Sequence, residues 1–386
     1  MATNSNRQQT ARKGMSAKRR QARKRKKIII FSVEIFVLIV MLVGLWVVMT
    51  VTRNSEEGGP VFTDLEPQNV AISQEVQQNQ TMKGYKNIAL FGLDAMYDSQ
   101  IYKGSRSDSI MIASVNMDTG DIKLVSIYRD TLLNLGTDKY EKCTHAYSYG
   151  GAEQAVKMLN MNLDMDITDF VAVGYKGLID VIDGLGGVYI DVDSAELQNV
   201  QHTDNGDVYN SINNYQMNIA EKLKCSYNPV TTTGYQKLDG LQATAYCRIR
   251  YTSGSDFARA ARQREVIKAI EEQAKKTNLS TLTKTFNDAS PNIYTSLDSK
   301  DILDLLKNIG NYRIVEEGAF PDESMRTVGN IGARGSCVIP LDLKDNVVWL
   351  HQFLFEDEEY QVTDSVREYS EKIKSDTAGY IDSRSN

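Results

Sequence analysis

Two neighbouring stretches of the chain, residues 109–116 and 122–127, alternate loosely between polar and apolar positions. A period of two sends successive side chains to opposite faces of a β-strand. The five residues between them, 117–121, contain Asp and Gly, which are typical of the short loops that join paired strands. The pattern therefore predicts a β-hairpin.

The hairpin would bring four charged side chains to one end of one sheet. If its turn centres near Thr119, paired residues have numbers that add up to about 238. Asp108 then lies near Arg129 and Asp130, with Arg106 beside it. Such a cluster costs free energy unless the charges pair or hold a charged group. The residues alone leave both interpretations open, solvated ion pairs or a ligand site.

Other stretches predict a domain that mixes strands and helices. Residues 85–93 read as a buried strand, with Asp94 just past its end. A helix is expected at 152–159, after Gly150 and Gly151. A strand, a helix, a glycine-rich turn and a strand follow at 169–173, 176–185, 184–187 and 188–192. This order is typical of a βαβ-like unit and indicates an α/β sheet covered by helices.

The second half of the domain carries most of the remaining candidate chemistry. Residues 194–237 are polar and predict a long surface excursion with a short helix near 218–223. A capped helix then ends in Arg248 and Arg250. A longer helix begins at Asp256 and places Arg259 and Gln263 on one face. Arginines in a first helical turn oppose the helix dipole unless an anion is present. A solvated helix start and an anion site remain equal alternatives.

The N-terminal region predicts a membrane anchor. Residues 28–51 are apolar except for one charge, and 24 helical residues at about 1.5 Å each span a bilayer core. Residues 1–27 carry eleven Lys or Arg and no acid, which predicts a cytoplasmic N-terminus and an exported C-terminal part. A cleaved signal peptide is disfavoured because the apolar run is long and no cleavage site follows it.

Charge and cysteine usage narrow the classes of function. Residues 28–386 carry 33 basic and 50 acidic side chains, a net charge of −17, so the basic tail fits orientation and lipid contact better than nucleic-acid binding. Cys143, Cys225, Cys247 and Cys337 form no Cys-x-x-Cys, which argues against zinc and leaves disulfide pairing open. His145 has no other His, Cys or carboxylate at ligand spacing and is interpreted as a packing or hydrogen-bonding residue rather than a ligand or a base.

Seven ordered motifs together resemble the LytR-CpsA-Psr family. They are residues 92–94 (GLD), 106–111 (RSDSIM), 126–130 (SIYRD), 145–147 (HAY) with 150–151 (GG), 184–188 (GLGGV), 238–240 (LDG) with 245–250 (AYCRIR), and 256–259 (DFAR) with 262–263 (RQ). The resemblance is strong over residues 85–270 and continues weakly to about residue 355.

The resemblance implies a bacterial enzyme on the outer face of the cell membrane. Such proteins transfer a teichoic acid, capsule or other secondary wall polymer from a polyprenyl-pyrophosphate carrier to peptidoglycan, as phosphotransferases, with a pyrophosphatase side activity as a further expectation. The implied fold is a three-layer α/β sandwich, a central mixed β-sheet flanked by helices, with an apolar pocket for the prenyl chain. The implied cofactor is Mg²⁺.

Site residues follow from the matching positions. The resemblance assigns the metal to Asp94 and Asp108, and the pyrophosphate to Arg106, Arg129, Arg248, Arg250, Arg259 and Gln263. The catalytic set is Asp108, Arg129 and Asp130, where Asp130 is either a general base or an orienting partner of Arg129, the second being favoured. Arginine suits this site because its fork matches phosphate geometry.

Two positions depart from the family pattern, and other functions remain to be tested. Tyr128 stands where Pro is common, and Ala261 stands where a further Arg often occurs, which puts the number of phosphate contacts in doubt. The alternatives are glycan transfer to a surface protein, a membrane-anchored regulator or transcription attenuator, and a wall-binding module without catalysis.

The predicted organisation has five parts. Residues 1–27 are a basic cytoplasmic tail, 28–51 a transmembrane signal anchor, 52–83 an extracellular stalk, 84–356 the catalytic domain and 357–386 a loosely ordered acidic tail. Within the domain, an amphipathic helix is expected at residues 302–309, and residues 347–355 are apolar enough to pack on the domain.

Overall fold

The computed structural model describes residues 61–381, except residues 64, 67, 97–99, 199, 204–205 and 251–254. The predicted cytoplasmic tail and the predicted membrane helix, residues 1–51, lie outside the described residues. None of the helices within the described ranges combines the length and the apolar character that a membrane span needs.

Strands and helices alternate irregularly along the described chain. The strands are β1 Val61–Phe62, β2 Tyr85–Leu93, β3 Ser107–Asn116, β4 Asp121–Ile127, β5 Leu132–Asn134, β6 Tyr140–Lys142, β7 Asp169–Val173, β8 Val188–Val192, β9 Val200–Thr203, β10 Gly206–Tyr209, β11 Gly234–Leu238, β12 Ile293–Thr295, β13 Arg313–Phe320, β14 Arg326–Asn330 and β15 Ser336–Pro340. The helices are α1 Gln74–Gln78, α2 Thr144–Leu163, α3 Tyr175–Gly184, α4 Ser194–Leu197, α5 Ile212–Leu223, α6 Gly240–Tyr246, α7 Ser255–Lys276, α8 Leu279–Ala289, α9 Ser299–Lys307, α10 Leu343–Phe355 and α11 Asp364–Thr377.

The central sheet is mixed and has the strand order β1-β12-β7-β2-β3-β4-β13. Strand β2 pairs antiparallel with β3 and parallel with β7, and β13 joins β4 in parallel. The predicted hairpin forms from β3 and β4. Met111 lies opposite Ser126 and Val115 opposite Ile122, one residue from the predicted register. The charged residues beyond this end of the hairpin are therefore neighbours, as expected.

Helices cover both faces of this sheet, which confirms the expected flanked mixed sheet. Along β2, Phe91 and Leu93 belong to a buried core together with residues of α2, α10 and α11. Leu90 is exposed to a cavity on the opposite face, which α3 and α7 close with Leu178 and Val266. Strand β2 therefore contributes both to a packed core and to the wall of a cavity.

Helix α2 contains the predicted helix 152–159 but begins earlier and bends at Gly151. Gly151 has φ 70° and ψ −155°, a conformation that favours glycine. A Cβ at this position would lie 2.6 Å from the carbonyl oxygen of Tyr102. The helical conformation is therefore interrupted at Gly151, and a second helical segment begins after it, as predicted for residues 152–159.

Three interpretations of single segments are wrong. Strand β8 pairs antiparallel with β11 outside the central sheet, so the expected βαβ unit does not form. The region interpreted as a surface excursion contains α5, whose Ile212 and Ile219 are fully buried. Within the predicted stalk, Val70, Val76 and Met82 belong to the main core.

The predicted loose tail also contains a packed helix. Helix α11 buries Val366 and Ile373 in the main core. Its N-cap Thr363 donates through its backbone N–H and its hydroxyl to the carboxylate of Asp164, both at 2.8 Å. The tail interpretation is therefore wrong for residues 364–377.

Candidate active site

A half-buried ion pair lies at the end of the β3–β4 hairpin, where the sequence predicted a cluster of charge. Arg129 follows β4, and its Nη1 donates to Oδ1 of Asp108 at 2.6 Å. The side chain of Arg129 is 15% exposed and that of Asp108 is 30% exposed. The strand pairing alone places these residues together.

Asp256, in the first turn of α7, connects this pair to two more arginines. Its carboxylate lies 3.7 Å from Nε of Arg129, 3.3 Å from Nη2 of Arg250 and 2.9 Å from Nη2 of Arg259. Nη2 of Arg259 also donates to the backbone oxygen of Asp108 at 3.3 Å. We call these five residues the ionic cluster. In the sequence, Asp256 was predicted only as a helix start, although its spacing of three residues from Arg259 is typical of an ion pair on a helix.

Burial and pairing act in opposite directions on two arginines of the ionic cluster, Arg129 and Arg259. Burial alone would lower the pKa of Arg129, but Asp108, Asp256 and Asp130 outweigh it and raise the pKa above its ordinary value. Burial lowers the pKa of Arg259 despite the nearby Asp256. Nε of each guanidinium is buried without a hydrogen-bond acceptor among the described residues. Such donors favour a ligand rich in oxygen atoms.

A cavity of about 360 Å³ lies between the sheet and helices α3 and α7. Its wall is mostly apolar and includes Leu90, Met111, Val171, Val173, Leu178, Val266 and Ile267. Its charged lining residues are Asp108, Arg248, Arg250 and Arg259, and Gln263 also lines it. The cavity, which we call the apolar cavity, therefore joins a hydrocarbon-like wall to a cationic one.

Tyr175 connects Asp94 to Arg248 at this cavity. The hydroxyl of Tyr175 donates to Oδ1 of Asp94 at 2.8 Å, and burial raises the pKa of Tyr175 above its ordinary value. The guanidinium of Arg248 lies 4.8 Å from the ring of Tyr175 and 5.4 Å from that of Tyr215. Nε2 of Gln263 donates to the backbone oxygen of Cys247 at 3.4 Å.

A second depression of about 660 Å³ adjoins the ionic cluster and is lined mainly by polar groups. We call it the polar cleft. Its charged lining residues are Arg106, Arg129, Asp130, Lys142, Arg250, Asp256 and Arg334, and His145 also lines it. Asp130 pairs with Lys142 at 3.3 Å and lies 3.9 Å from Nε of Arg129. Arg250 lines both the apolar cavity and the polar cleft.

The two departures from the family pattern occupy different environments. Tyr128 packs edge to face on Phe257 with ring centroids 4.6 Å apart, and Arg326 lies over both rings. Ala261 is exposed, while its neighbour Arg262 is buried and pairs with Glu196 at 2.6 Å. Arg262 is therefore engaged away from the ionic cluster.

Asp94 and Asp108 have the chemistry of a magnesium site that also uses phosphate oxygens. They lie on adjacent strands, where the backbone N–H of Asp94 donates to the carbonyl oxygen of Arg106 at 3.0 Å. One oxygen of each carboxylate is bonded, to Tyr175 or to Arg129, and the other has no donor among the described residues. Magnesium is usually held by one or two carboxylates plus substrate phosphates. No group of three or more candidate ligands occurs in the described ranges.

The cysteines are free thiols in this structure. Cys143 and Cys337 are buried and Cys225 is exposed. Burial raises the pKa of Cys247, beside the apolar cavity, to about 12, so this thiol stays protonated at neutral pH.

Comparison with known proteins agrees with the motifs. The LytR_cpsA_psr family matches residues 52–332. The chain is 29% identical over 238 residues to the polyisoprenyl-teichoic acid–peptidoglycan teichoic acid transferase TagU of Enterococcus faecalis, covering 61% of this chain and 69% of that protein. It is 28% identical over 233 residues to the corresponding transferase TagT of Bacillus subtilis, covering 60% of this chain and 66% of that protein.

A solved structure shares the fold. The crystal structure of protein gbs0355 from Streptococcus agalactiae aligns with a TM-score of 0.57 and 22% identity, covering 74% of this chain and 93% of that one. The alignments span about two thirds of the length of the two curated relatives. The family match extends over most of the chain and includes the ionic cluster and the apolar cavity. The chain therefore belongs to the LytR-CpsA-Psr family.

Proposed function

We propose that this protein is a phosphotransferase that moves a wall glycopolymer from a polyprenyl-pyrophosphate carrier to peptidoglycan. The observation that carries the proposal is the apolar cavity with arginines in its wall. A polyprenyl pyrophosphate has a hydrocarbon chain and an anionic head, and it needs both kinds of surface. The names of the curated relatives support the same class of reaction.

The ionic cluster would bind the pyrophosphate. Arg129, Arg250 and Arg259 already converge on Asp256, so their positions need little reorganisation when phosphate oxygens enter. An acceptor hydroxyl attacks the phosphorus attached to the sugar, which forms a phosphodiester and releases polyprenyl phosphate. Arg106, Arg248 and Gln263 line the adjoining surfaces and would extend the phosphate contacts.

Asp94 and Asp108 would hold magnesium through the carboxylate oxygens that lack a donor. Bound there, the ion would supply Lewis-acid stabilisation of charge on the phosphate oxygens. Asp130 is committed to Lys142 and to Arg129, which favours its role in orienting Arg129 over a role as the base. A pyrophosphatase side activity would follow if water replaced the acceptor hydroxyl.

The cellular setting of the proposal comes from the N-terminal sequence. Residues 28–51 would anchor the chain in the cell membrane once, with the N-terminus in the cytoplasm and the catalytic domain outside. The carrier lipid and peptidoglycan would then both be accessible from the outer face.

The test measures polyprenyl-phosphate release by the purified full-length chain. The donor is a short polyprenyl-pyrophosphate-linked glycan, the acceptor is peptidoglycan, and reactions run with magnesium or with a chelator. We expect Asp108→Ala to lower the rate by at least about 100-fold, the scale of losing one preorganised charge contact. Asp121→Ala is the matched control, because Asp121 pairs with Arg313 at 2.9 Å at the opposite end of the same hairpin.

The products separate the alternatives. Labelled glycan recovered in peptidoglycan supports the proposal, and glycan recovered on an added surface protein would replace the acceptor. Tight carrier binding without turnover at any magnesium concentration would overturn the enzymatic assignment in favour of a binding or regulatory protein.

A further inference from the structure

The proposed transfer requires the acceptor hydroxyl to lose a proton. His145 lines the polar cleft, and a carboxylate fixes the orientation of its ring. Nδ1 of His145 lies 2.8 Å from Oε2 of Glu141. Glu141 is in strand β6, and His145 is in the first turn of α2. The sequence favoured a packing or hydrogen-bonding role for His145 over that of a base, although Glu141, a possible partner, precedes it by four residues.

Glu141 determines which nitrogen of His145 can accept a proton. Burial alone would raise the pKa of Glu141, but hydrogen bonds and charge from His145 and Lys139 outweigh it and lower the pKa. An ionised carboxylate only accepts hydrogen bonds, so Nδ1 carries the proton in the neutral ring. The lone pair is then on Nε2, which has no hydrogen-bond partner among the described residues. The side chain is 23% exposed and lines the polar cleft.

The backbone beside His145 is attached to both strands of the site. The N–H of Thr144 donates to the carbonyl oxygen of Arg129 at 3.0 Å, and its hydroxyl donates to that of Ser107 at 2.9 Å. His145 therefore directly follows Thr144, which is hydrogen-bonded both to Arg129 and to Ser107, the residue before Asp108. Thr144, His145 and Arg129 all line the polar cleft, and Arg129 also belongs to the ionic cluster through its pair with Asp108.

The charged and titratable surroundings of the pair come from several elements. Tyr149 donates to Glu141 at 3.3 Å, and Nζ of Lys139 lies 3.8 Å from the same carboxylate. The polar cleft adds Arg129, Asp130 and Lys142 from the strand ends, Arg106 before β3, Arg250 and Asp256 near α7, and Arg334 between β14 and β15.

We infer that His145, oriented by Glu141, is the general base that deprotonates the acceptor hydroxyl in the polar cleft. The inference rests on the proposed transfer. The hydroxyl proton moves to Nε2, and the oxygen forms a bond to the phosphorus attached to the sugar. The bond from that phosphorus to the bridging oxygen breaks, and its electron pair leaves with polyprenyl phosphate. The proton on Nε2 then passes to solvent.

The experiment compares the full-length chain with His145→Gln and Glu141→Gln across pH. Transfer rate to peptidoglycan and equilibrium binding of the polyprenyl-pyrophosphate donor are both measured. We expect His145→Gln to lower kcat by about 100-fold to 10,000-fold, with donor affinity unchanged, and to abolish the acidic limb of the rate profile. Glu141→Gln should also lower kcat with donor affinity unchanged, because an amide can present an N–H as well as an oxygen to the ring and no longer fixes its tautomer. Glu153→Gln, exposed on the same helix, is the matched control.

Each result has a distinct meaning. A wild-type chain that binds the donor but never transfers defeats the proposed function itself. A wild-type chain that transfers, beside a His145→Gln variant with the same kcat and the same pH profile, defeats the general-base assignment alone. Loss of donor affinity in a His145→Gln variant that unfolds at the wild-type temperature also overturns it, because it would make His145 a donor-binding residue.

Discussion

Asp256 is the residue on which the geometry of the site depends most. Three guanidinium groups lie within 3.7 Å of its carboxylate, and each would otherwise repel the others. Removing one partner from a buried ion pair leaves an uncompensated charge, which is more costly than the pair is worth. Asp256 therefore keeps the arginines in place in the absence of a ligand.

Substitution of Arg129 tests its role in binding the phosphate groups. Arg129→Ala should lower the transfer rate by at least about 100-fold, because it removes a half-buried fork of donors that lines the polar cleft. Arg313→Ala, which removes an exposed partner of Asp121, should leave the rate within about twofold. The comparison is of kcat for the two purified variants, with folding verified by circular dichroism. Equal activity of Arg129→Ala and the wild type would remove Arg129 from the mechanism.

His351 gives a prediction about stability. It is fully buried on α10, its Nε2 donates to the carbonyl oxygen of Leu163 at 2.9 Å, and burial lowers its pKa to about 4. The unfolded chain binds a proton near pH 6.5 that the folded chain rejects, so stability is lost as pH falls from about 6.5 to about 4. The loss should approach about 3 kcal/mol in urea unfolding. His351→Gln should flatten this dependence, and an unchanged slope would contradict it.

The sequence predicted which residues gather at the hairpin but not every partner they find there. Strand register is local information, so Asp108 and Arg129 could be placed from turn position alone. Asp256 reaches them through the long-range packing of α7, which no local pattern encodes. Glu141 and His145 were readable from a spacing of four residues, and that signal was missed.

Among the strands, those predicted correctly are the ones in which the buried positions follow the apolar pattern of the sequence. Strand β8 was misplaced, although its sequence contained a warning: Val188, Ile190 and Val192 are buried, while Tyr189 and Asp191 between them are exposed. Such strict alternation is typical of an antiparallel ribbon with one solvated face. A strand of a covered parallel unit would have carried a more continuous apolar run.

Substitution of a buried residue tests how much helix α11 contributes to the stability of the fold. Ile373 is fully buried and belongs to the main core, so Ile373→Ala should lower the free energy of unfolding by about 2–5 kcal/mol. Glu368→Ala changes an exposed position of the same helix and should stay within about 0.5 kcal/mol of the wild type. Chemical denaturation measures both. Equal stabilities would mean that α11 contributes nothing to the fold.

Across the whole domain, the apolar cavity and the polar cleft are the features that could not be predicted from the sequence. The residues of the apolar cavity, such as Leu90 and Val171, have the same composition and periodicity as core residues. Whether such a face meets another side chain or an empty space depends on the positions of distant helices. The family motifs instead identify the polar residues, which border the cavity and do not fill it.

The predicted membrane anchor is testable on intact cells. A tag at the C-terminus should be cleaved by protease added outside protoplasts, and a tag at the N-terminus should be protected, because the basic residues precede residues 28–51. Deleting residues 1–51 should release the remaining chain from the membrane fraction. Protection of the C-terminal tag in intact protoplasts would reverse the orientation.

The balance of charge within the ionic cluster has a kinetic consequence. Asp108 and Asp256 offset two of the three arginines of the ionic cluster, and the net charge of −17 over residues 28–386 opposes the other cations of the polar cleft. An anion is therefore attracted only weakly from beyond a Debye length of about 8 Å. Long-range steering contributes little in that case, and recognition depends on contact. We expect the association rate of a soluble short-chain donor to change less than about threefold between 50 and 500 mM salt in stopped-flow binding. A steep decline of the association rate with salt would indicate that long-range electrostatic steering brings the donor to the site.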